Sequence, residues 1–465
     1  MPARPDQPAP RPWGFATEQV HAGAEPDDVH GARIPPVHLT AGFVFRDFED
    51  ARARFAGDDD GYVYSRLANP TLTAVERRVA RLEGGRDALL VGSGQAAVTV
   101  ALLGLLGAGD HLLSAASVYE GSRGLFRENF ARMGVAVDFV PTAADGGTDL
   151  DAWRRLLRPT TRAVFLESIP NPKNDVPDLR AVADLAHAHG IPVVVDNTLA
   201  TPYLLRPLEH GADVVVHSAS KFLAGHGAAL GGAVVVGEGF DWAAGGRYPH
   251  LVDRSSGRSW VDRYGPRAYA EHVRQVVAAR LGPTLSPVNA FLLQQGLETL
   301  SLRVSRHVAT ALTLARWLEQ QPEVVAVDHA GLASSPSHAL AQRYLPRGAG
   351  SVFGVTVAGG EAGARAFVDA VRLFTRMSHL GDVRSLVLHP ASTSHAHRSP
   401  AERAAAGIWP GLLRLSIGLE EPEDLLADLR LALDAVRNAV AGSEVAPTPG
   451  PVGAAVPALV AAGVL

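Results

Sequence analysis

The stretch VVVDNTLATPYLLRPLEHGADVVVHSASK, residues 193–221, decides the fold. Each of its two valine runs is short and wholly β-branched, which suits a strand buried on both faces of a sheet. The first closes on Asp196 and the second leads to Lys221. Read as neighbours in a mostly parallel sheet, they deliver an acid and an amine to one carboxyl edge, where α/β proteins keep their ligands.

The same rhythm extends outward. ALLV (88–91), HLLSAA (111–116), VAVDFV (135–140) and AVFLE (163–167) alternate with helical patterns starting near residues 95, 121, 150 and 179, and GGAVVV (231–236) follows Lys221. The expected class is α/β, with a mostly parallel sheet covered by helices on both sides. After about residue 270 the pattern changes to long amphipathic helices, including the run 289–317, then VFGVTV, a helix over 361–373 and LLRLSIG. That predicts a smaller α+β domain. The expected organisation is an arm over 1–60, a large domain over 61–288 with an irregular insertion at about 238–270, a second domain over 289–441, and a low-complexity Ala/Val/Pro tail over 442–465.

Composition narrows the chemistry. The chain has 465 residues, 47% hydrophobic and 20% charged, with a formal charge of -5, so nothing points to nucleic acid. It has no cysteine, which excludes disulfides, thiolate metal sites and a catalytic thiol of its own. No secretory h-region and no long apolar run is present, and a cytoplasmic location is the expectation. Of 43 basic residues only Lys173 and Lys221 are lysines, so chemistry needing a primary amine has two candidates.

GSGQ (92–95) lies between a strand and an apolar helix, where backbone N–H groups converge and phosphate is favoured. A structural tight turn is the alternative. A dinucleotide site fits poorly, because Asp110 precedes its strand instead of ending it. Asp196 could cap a helix. With Lys221 beside it, the set suits a pyridoxal cofactor: an amine for the aldehyde, an acid for the pyridine nitrogen, and the hydroxyls of Ser218 and Ser220 for the phosphate. SASK (218–221) also has the S-x-x-K form of Ser–Lys acyl-transfer enzymes, but their K-T-G element is missing and the string is expected to end a strand rather than open a helix. His389, His395 and His397 read as a loop without a carboxylate at ligand spacing, so no metal site is expected. Arg414, inside LLRLSIG, is either edge-exposed or aimed at an anion.

HAGAEPD (21–27), YSRLANPT (64–71), GSGQAA (92–97), NPKNDVPDL (171–179), the 193–221 stretch, AGHG (224–227), LGDVRSLVLHPASTSH (380–395) and RLSIGLE (414–420) occur in order along the chain. In these segments the chain resembles the Cys/Met-metabolism pyridoxal-phosphate (PLP) enzymes, and is most similar to their O-acetylhomoserine sulfhydrylase branch. The resemblance implies fold type I, the aspartate aminotransferase-like architecture of PLP-dependent transferases. It implies Lys221 as the Schiff-base lysine and proton carrier, Tyr119 stacked on the ring, Asp196 on the ring nitrogen, and Ser218, Ser220, Gly94 and Gln95 on the phosphate. Tyr64 and Arg66 would reach the phosphate of a neighbouring subunit's cofactor, Tyr64 also serving catalysis. Arg414, Ser385 and Asn171 would hold the amino-acid substrate.

The implied reaction is γ-replacement on O-acetyl-L-homoserine by sulfide or a small thiol, in a homo-oligomer, a dimer of dimers, with shared sites. Other nucleophiles, carbon acids included, and cystathionine γ-synthase or γ-lyase chemistry are the alternatives. Two departures stand out. Glu120 takes a position where the family usually has glycine, and Gly121 stands where the lyase branch often carries cysteine.

Overall fold

The computed structural model describes residues 13–441 apart from 28, 144, 145 and 256, so most of the proline-rich lead and the whole 442–465 tail lie outside the described residues. Seven strands form one sheet: β1 (Asp87–Val91), β2 (His111–Ala115), β3 (Ala136–Val140), β4 (Thr161–Glu167), β5 (Val193–Asp196), β6 (Val214–His217) and β7 (Gly232–Val236). Their order is β1-β7-β6-β5-β4-β2-β3, and only β7 runs against its neighbours. This is the mostly parallel sheet the valine runs foretell.

Side-chain alternation shows why those runs are apolar at every position. Val164, Leu166, Val193, Val195 and Val215 enter one core, whereas Ala163, Phe165, Val194, Val214 and Val216 enter another across the sheet. Both faces are covered, so neither parity of the strand can be polar. Glu167 and Asp196, which end β4 and β5, are paired in register and share the second face. Helix α1 (Gly94–Leu103) packs on that face, with Ser93 accepting from the Ala96 N–H as its cap.

A second sheet, β8 (Val324–Asp328), β9 (Val352–Val357), β10 (Thr375–Arg376), β11 (Leu386–Leu388) and β12 (Leu412–Ser416), has the order β10-β11-β12-β9-β8 and its own core. The expected helical run 289–317 is two helices, Pro287–Leu297 and α2 (Leu300–Leu318). Near their junction Gly296 leaves no room for a side chain: a Cβ there would lie 2.4 Å from the carbonyl oxygens of Leu223 and Ala224. The buried Arg303 of α2 donates to the carbonyls of Phe222, Leu223 and Gly296. Together these hold the loop just after Lys221. Val383 N–H adds a bond to the Gly225 carbonyl at 3.0 Å, so the second unit grips the same loop. The 238–270 stretch carries short helices, including Pro249–Val252 and Trp260–Tyr264, around stacked Trp242 and Tyr269. No helix among the described residues is long and apolar enough to cross a membrane.

Candidate active site

Lys221 is not on a strand: β6 stops at His217, and Ser218–Lys221 forms a turn closed by the Lys221 N–H donating to the Ser218 carbonyl at 3.1 Å. The turn carries the amine just past the carboxyl edge. Its Nζ lies 3.0 Å from His379 Nδ1, on the segment preceding β11. Burial first, and the Arg414 charge second, pull the Lys221 amine from 10.5 to about 8. Burial also pushes His379 down to about 4, so the ring is neutral near pH 7 and Nδ1 can accept from the amine. The ring proton then sits on Nε2, which is buried without a partner.

Arg414 comes from the middle of β12, buried, with Nη2 donating to the His379 carbonyl at 2.8 Å and Nε unpartnered. Burial lowers it to about 10, far enough above neutrality to leave it cationic. No carboxylate pairs with Lys221 or Arg414 among the described residues. A buried guanidinium with an idle N–H asks for an anion.

Asp196 accepts from the Thr198 N–H at 2.9 Å, and burial raises its pKa. Beside it Glu167 accepts the Tyr119 N–H at 2.5 Å and also the Asn171 N–H. Burial and then the Asp196 charge push the Glu167 carboxyl well above its usual range. Glu167 thus holds the backbone of Tyr119, whose ring is half-exposed. It escaped the sequence reading although it ends the strand before Asp196.

At the start of α1 a Cβ on Gly94 would fall 2.6–2.8 Å from the Cβ, Cα and Oγ of Ser218. Only glycine allows this approach, and it brings the α1 N-terminus and the Ser218 hydroxyl together. Gln95 follows, its Oε1 buried and unpartnered. Ser220 faces elsewhere, exchanging hydrogen bonds with the Gly231 backbone. Asn171 Oδ1 is buried and unpartnered on the loop after β4.

Two groups of expected residues are not brought to this centre within the chain. Ser385 gives both its N–H, at 2.7 Å, and its hydroxyl, at 2.8 Å, to Glu420, and on that segment it is the His379 carbonyl that accepts from Arg414. Tyr64 is exposed and pairs with Gly42, and Arg66 stacks 5.6 Å from its ring and donates to the Ala279 carbonyl. The histidine-rich loop meets a carboxylate from elsewhere in the chain, Glu120, 3.4 Å from His397 and 3.8 Å from His395, and no cluster able to hold a metal ion forms among the described residues.

An amine of lowered pKa, an acid at the end of the adjacent strand, a glycine-tight helix start with a hydroxyl, and a free guanidinium fit pyridoxal phosphate and an amino acid. Residues 16–434 match the family described as Cys/Met metabolism PLP-dependent enzyme. The chain belongs to that family. Among relatives of this PLP-dependent enzyme, the O-acetyl-L-homoserine sulfhydrylase of Corynebacterium glutamicum is 42% identical over 90% of this chain and 96% of its own. An L-methionine gamma-lyase of Pseudomonas putida is 41% identical, over 91% and 98%. A crystal structure from Campylobacter jejuni, described as an O-acetylhomoserine (thiol)-lyase with an N′-pyridoxyl-lysine-5′-monophosphate, superposes with a TM-score of 0.86 at 33% identity, covering 91% of this chain and all of that one. The architecture is fold type I, and the cofactor of this family is pyridoxal phosphate.

Proposed function

We propose that this enzyme catalyses γ-replacement on O-acetyl-L-homoserine, with sulfide or a small thiol displacing acetate to give L-homocysteine or methionine. The observation that carries it is the meeting of an uncompensated Arg414 with the Lys221 amine in a chain so similar to sulfhydrylases. Bound pyridoxal phosphate supplies an electron sink that acidifies the substrate's Cα and Cβ hydrogens. Arg414 binds the α-carboxylate, with Asn171 beside the site. Lys221 anchors the cofactor, then takes the Cα proton and returns protons to the substrate carbons. Asp196 pairs with the ring nitrogen, Gly94, Gln95 and Ser218 serve the phosphate, and Tyr119 covers the ring, while the Ser220 hydroxyl expected at the phosphate is engaged with the Gly231 backbone.

Tyr64 and Arg66, whose contacts within the chain are Gly42, each other and Ala279, serve the neighbouring subunit's cofactor in this reading, in a cytoplasmic dimer of dimers. Because Ser385 gives its N–H and hydroxyl to Glu420, the unpartnered Nε2 of His379 is the better second donor to the carboxylate in this reading. Glu120 favours a second reading, γ-replacement by another nucleophile. Holoenzyme given O-acetyl-L-homoserine with sulfide, methanethiol and a carbon acid in competition decides between them. Homocysteine formed in step with acetate supports the first; acetate release indifferent to sulfide sinks it.

A further inference from the structure

Glu120 follows the ring-bearing Tyr119 and begins the helix Glu120–Gly124. An acid at a helix start is unremarkable alone; its partner lies 278 residues away. Arg398 donates Nε to one Glu120 oxygen at 2.9 Å and Nη2 to the other. This is the forked geometry that makes guanidinium–carboxylate pairs specific, and the side chains are only 9% and 16% exposed. His397 and His395 stand at 3.4 and 3.8 Å from the same carboxylate.

Arg398 belongs to the segment 389–399 that follows β11 and is tied to the second sheet's unit: His389 meets the Pro410 carbonyl at 2.8 Å, and Arg403 donates to the Ala391 carbonyl. Glu120 belongs to the first unit. Its helix start is wedged, because a Cβ on Gly121 would lie 2.4 Å from both Gln95 Nε2 and Tyr119 Cε1. Tyr119 is therefore fixed from two sides, through its N–H by Glu167 and through the next side chain by Arg398. With Arg398 and His395 both on Glu120, the segment lies beside the residue that follows Tyr119.

We propose that Glu120 is a specificity-determining positioning residue, which through Arg398 holds segment 389–399 shut beside Tyr119 and confines the second substrate to a small nucleophile. The proposal rests on the γ-replacement reading. A hydrosulfide ion can pass with the pair intact, whereas a bulky thiol must push the segment aside and break a forked, partly buried ion pair. The penalty falls on large acceptors alone, which is discrimination by an obstacle rather than by a better fit.

Holoenzymes carrying Glu120→Gln, Arg398→Leu, or the exchange Glu120→Arg with Arg398→Glu test this. For each, kcat/KM is measured with sulfide and with benzyl mercaptan, together with hydrogen exchange of 389–399 and the visible absorbance of bound cofactor. Each single variant is expected to raise the benzyl mercaptan-to-sulfide ratio about 10-fold or more, the scale on which loosened positioning alters rates. Exchange in 389–399 should quicken, and the double exchange should move both readouts back. Glu120→Gln keeps the side chain's shape, so a variant that folds and retains cofactor is available. Faster exchange with an unchanged ratio would reduce the pair to a structural tie, and unchanged exchange would dismiss the tie itself. Wild-type enzyme that turns over neither thiol would fail the γ-replacement reading, and the acceptor claim with it, while exchange still decides whether Glu120 holds the segment.

Discussion

Lys221 should be the most readily captured amine of the cofactor-free protein, and its reactivity should depend on Arg414. With the amine at about 8 instead of 10.5, roughly one molecule in ten carries it neutral at pH 7, about 300-fold more than for an ordinary lysine. Burial is the larger cause and Arg414 the smaller. In Arg414→Leu the midpoint should therefore move up but stay below the ordinary lysine value. The assay mixes apoprotein with pyridoxal, traps the product with borohydride, and follows the capture rate at Lys221 from pH 6 to 10. For wild type the rate should climb with pH, reach half its plateau near 8 and level off about one pH unit higher. Capture that keeps climbing to pH 10, or a midpoint that falls in Arg414→Leu, would refute the reasoning.

The remaining predictions concern stability and cofactor retention. Because the folded-state pKa of Lys221 is depressed, the lysine destabilises the apoprotein most below about pH 8, and the effect disappears as pH rises through 10.5. Lys221→Met should thus stabilise the apoprotein by about 3 kcal/mol near pH 7 and little near pH 10.5, read from urea midpoints. Gly94→Ala forces a Cβ to within 2.8 Å of the Ser218 backbone, and should cost about 1–3 kcal/mol and weaken cofactor retention on dialysis. Glu167→Gln, which keeps an acceptor for the Tyr119 N–H, should retain cofactor, whereas Glu167→Leu strands two buried N–H groups and should lose about 1–3 kcal/mol together with cofactor affinity.

What the sequence discloses here is what short spacings encode. The parallel sheet, Asp196 at a strand end and Lys221 past the next follow from β-branched runs and the residues that interrupt them. Long-range partners leave no such trace. The Glu120–Arg398 pair joins residues far apart in the chain, and His379 sits in a segment without period, so neither side chain could be assigned to the site. Ser385 shows the converse: a motif suggests a role, but Glu420 comes from the turn after β12 and occupies the polar groups. Some signals were present but weak. Ser259 and Asp262 form a capping box that marks the helix Trp260–Tyr264 inside the supposedly irregular 238–270 stretch, and Glu167 ends its strand as Asp196 does.

The site is electrostatically divided, and the division explains its dependence on ligand. Asp196 and Glu167 lie at one end, both with raised pKa values, and Lys221 and Arg414 lie at the other with lowered ones. Burial shifts all four toward their neutral forms, without neutralising Arg414. A ligand with a basic ring nitrogen at one end and a carboxylate at the other reverses both tendencies, favouring an ionised Asp196 and a cationic Arg414. The idle Nε of Arg414 and the bare Oε1 of Gln95 gain partners in the same event. The second sheet's unit clamps the loop after Lys221 through Arg303 and Val383. Packing outside the site holds the charged groups in place until the ligand supplies the charges they lack.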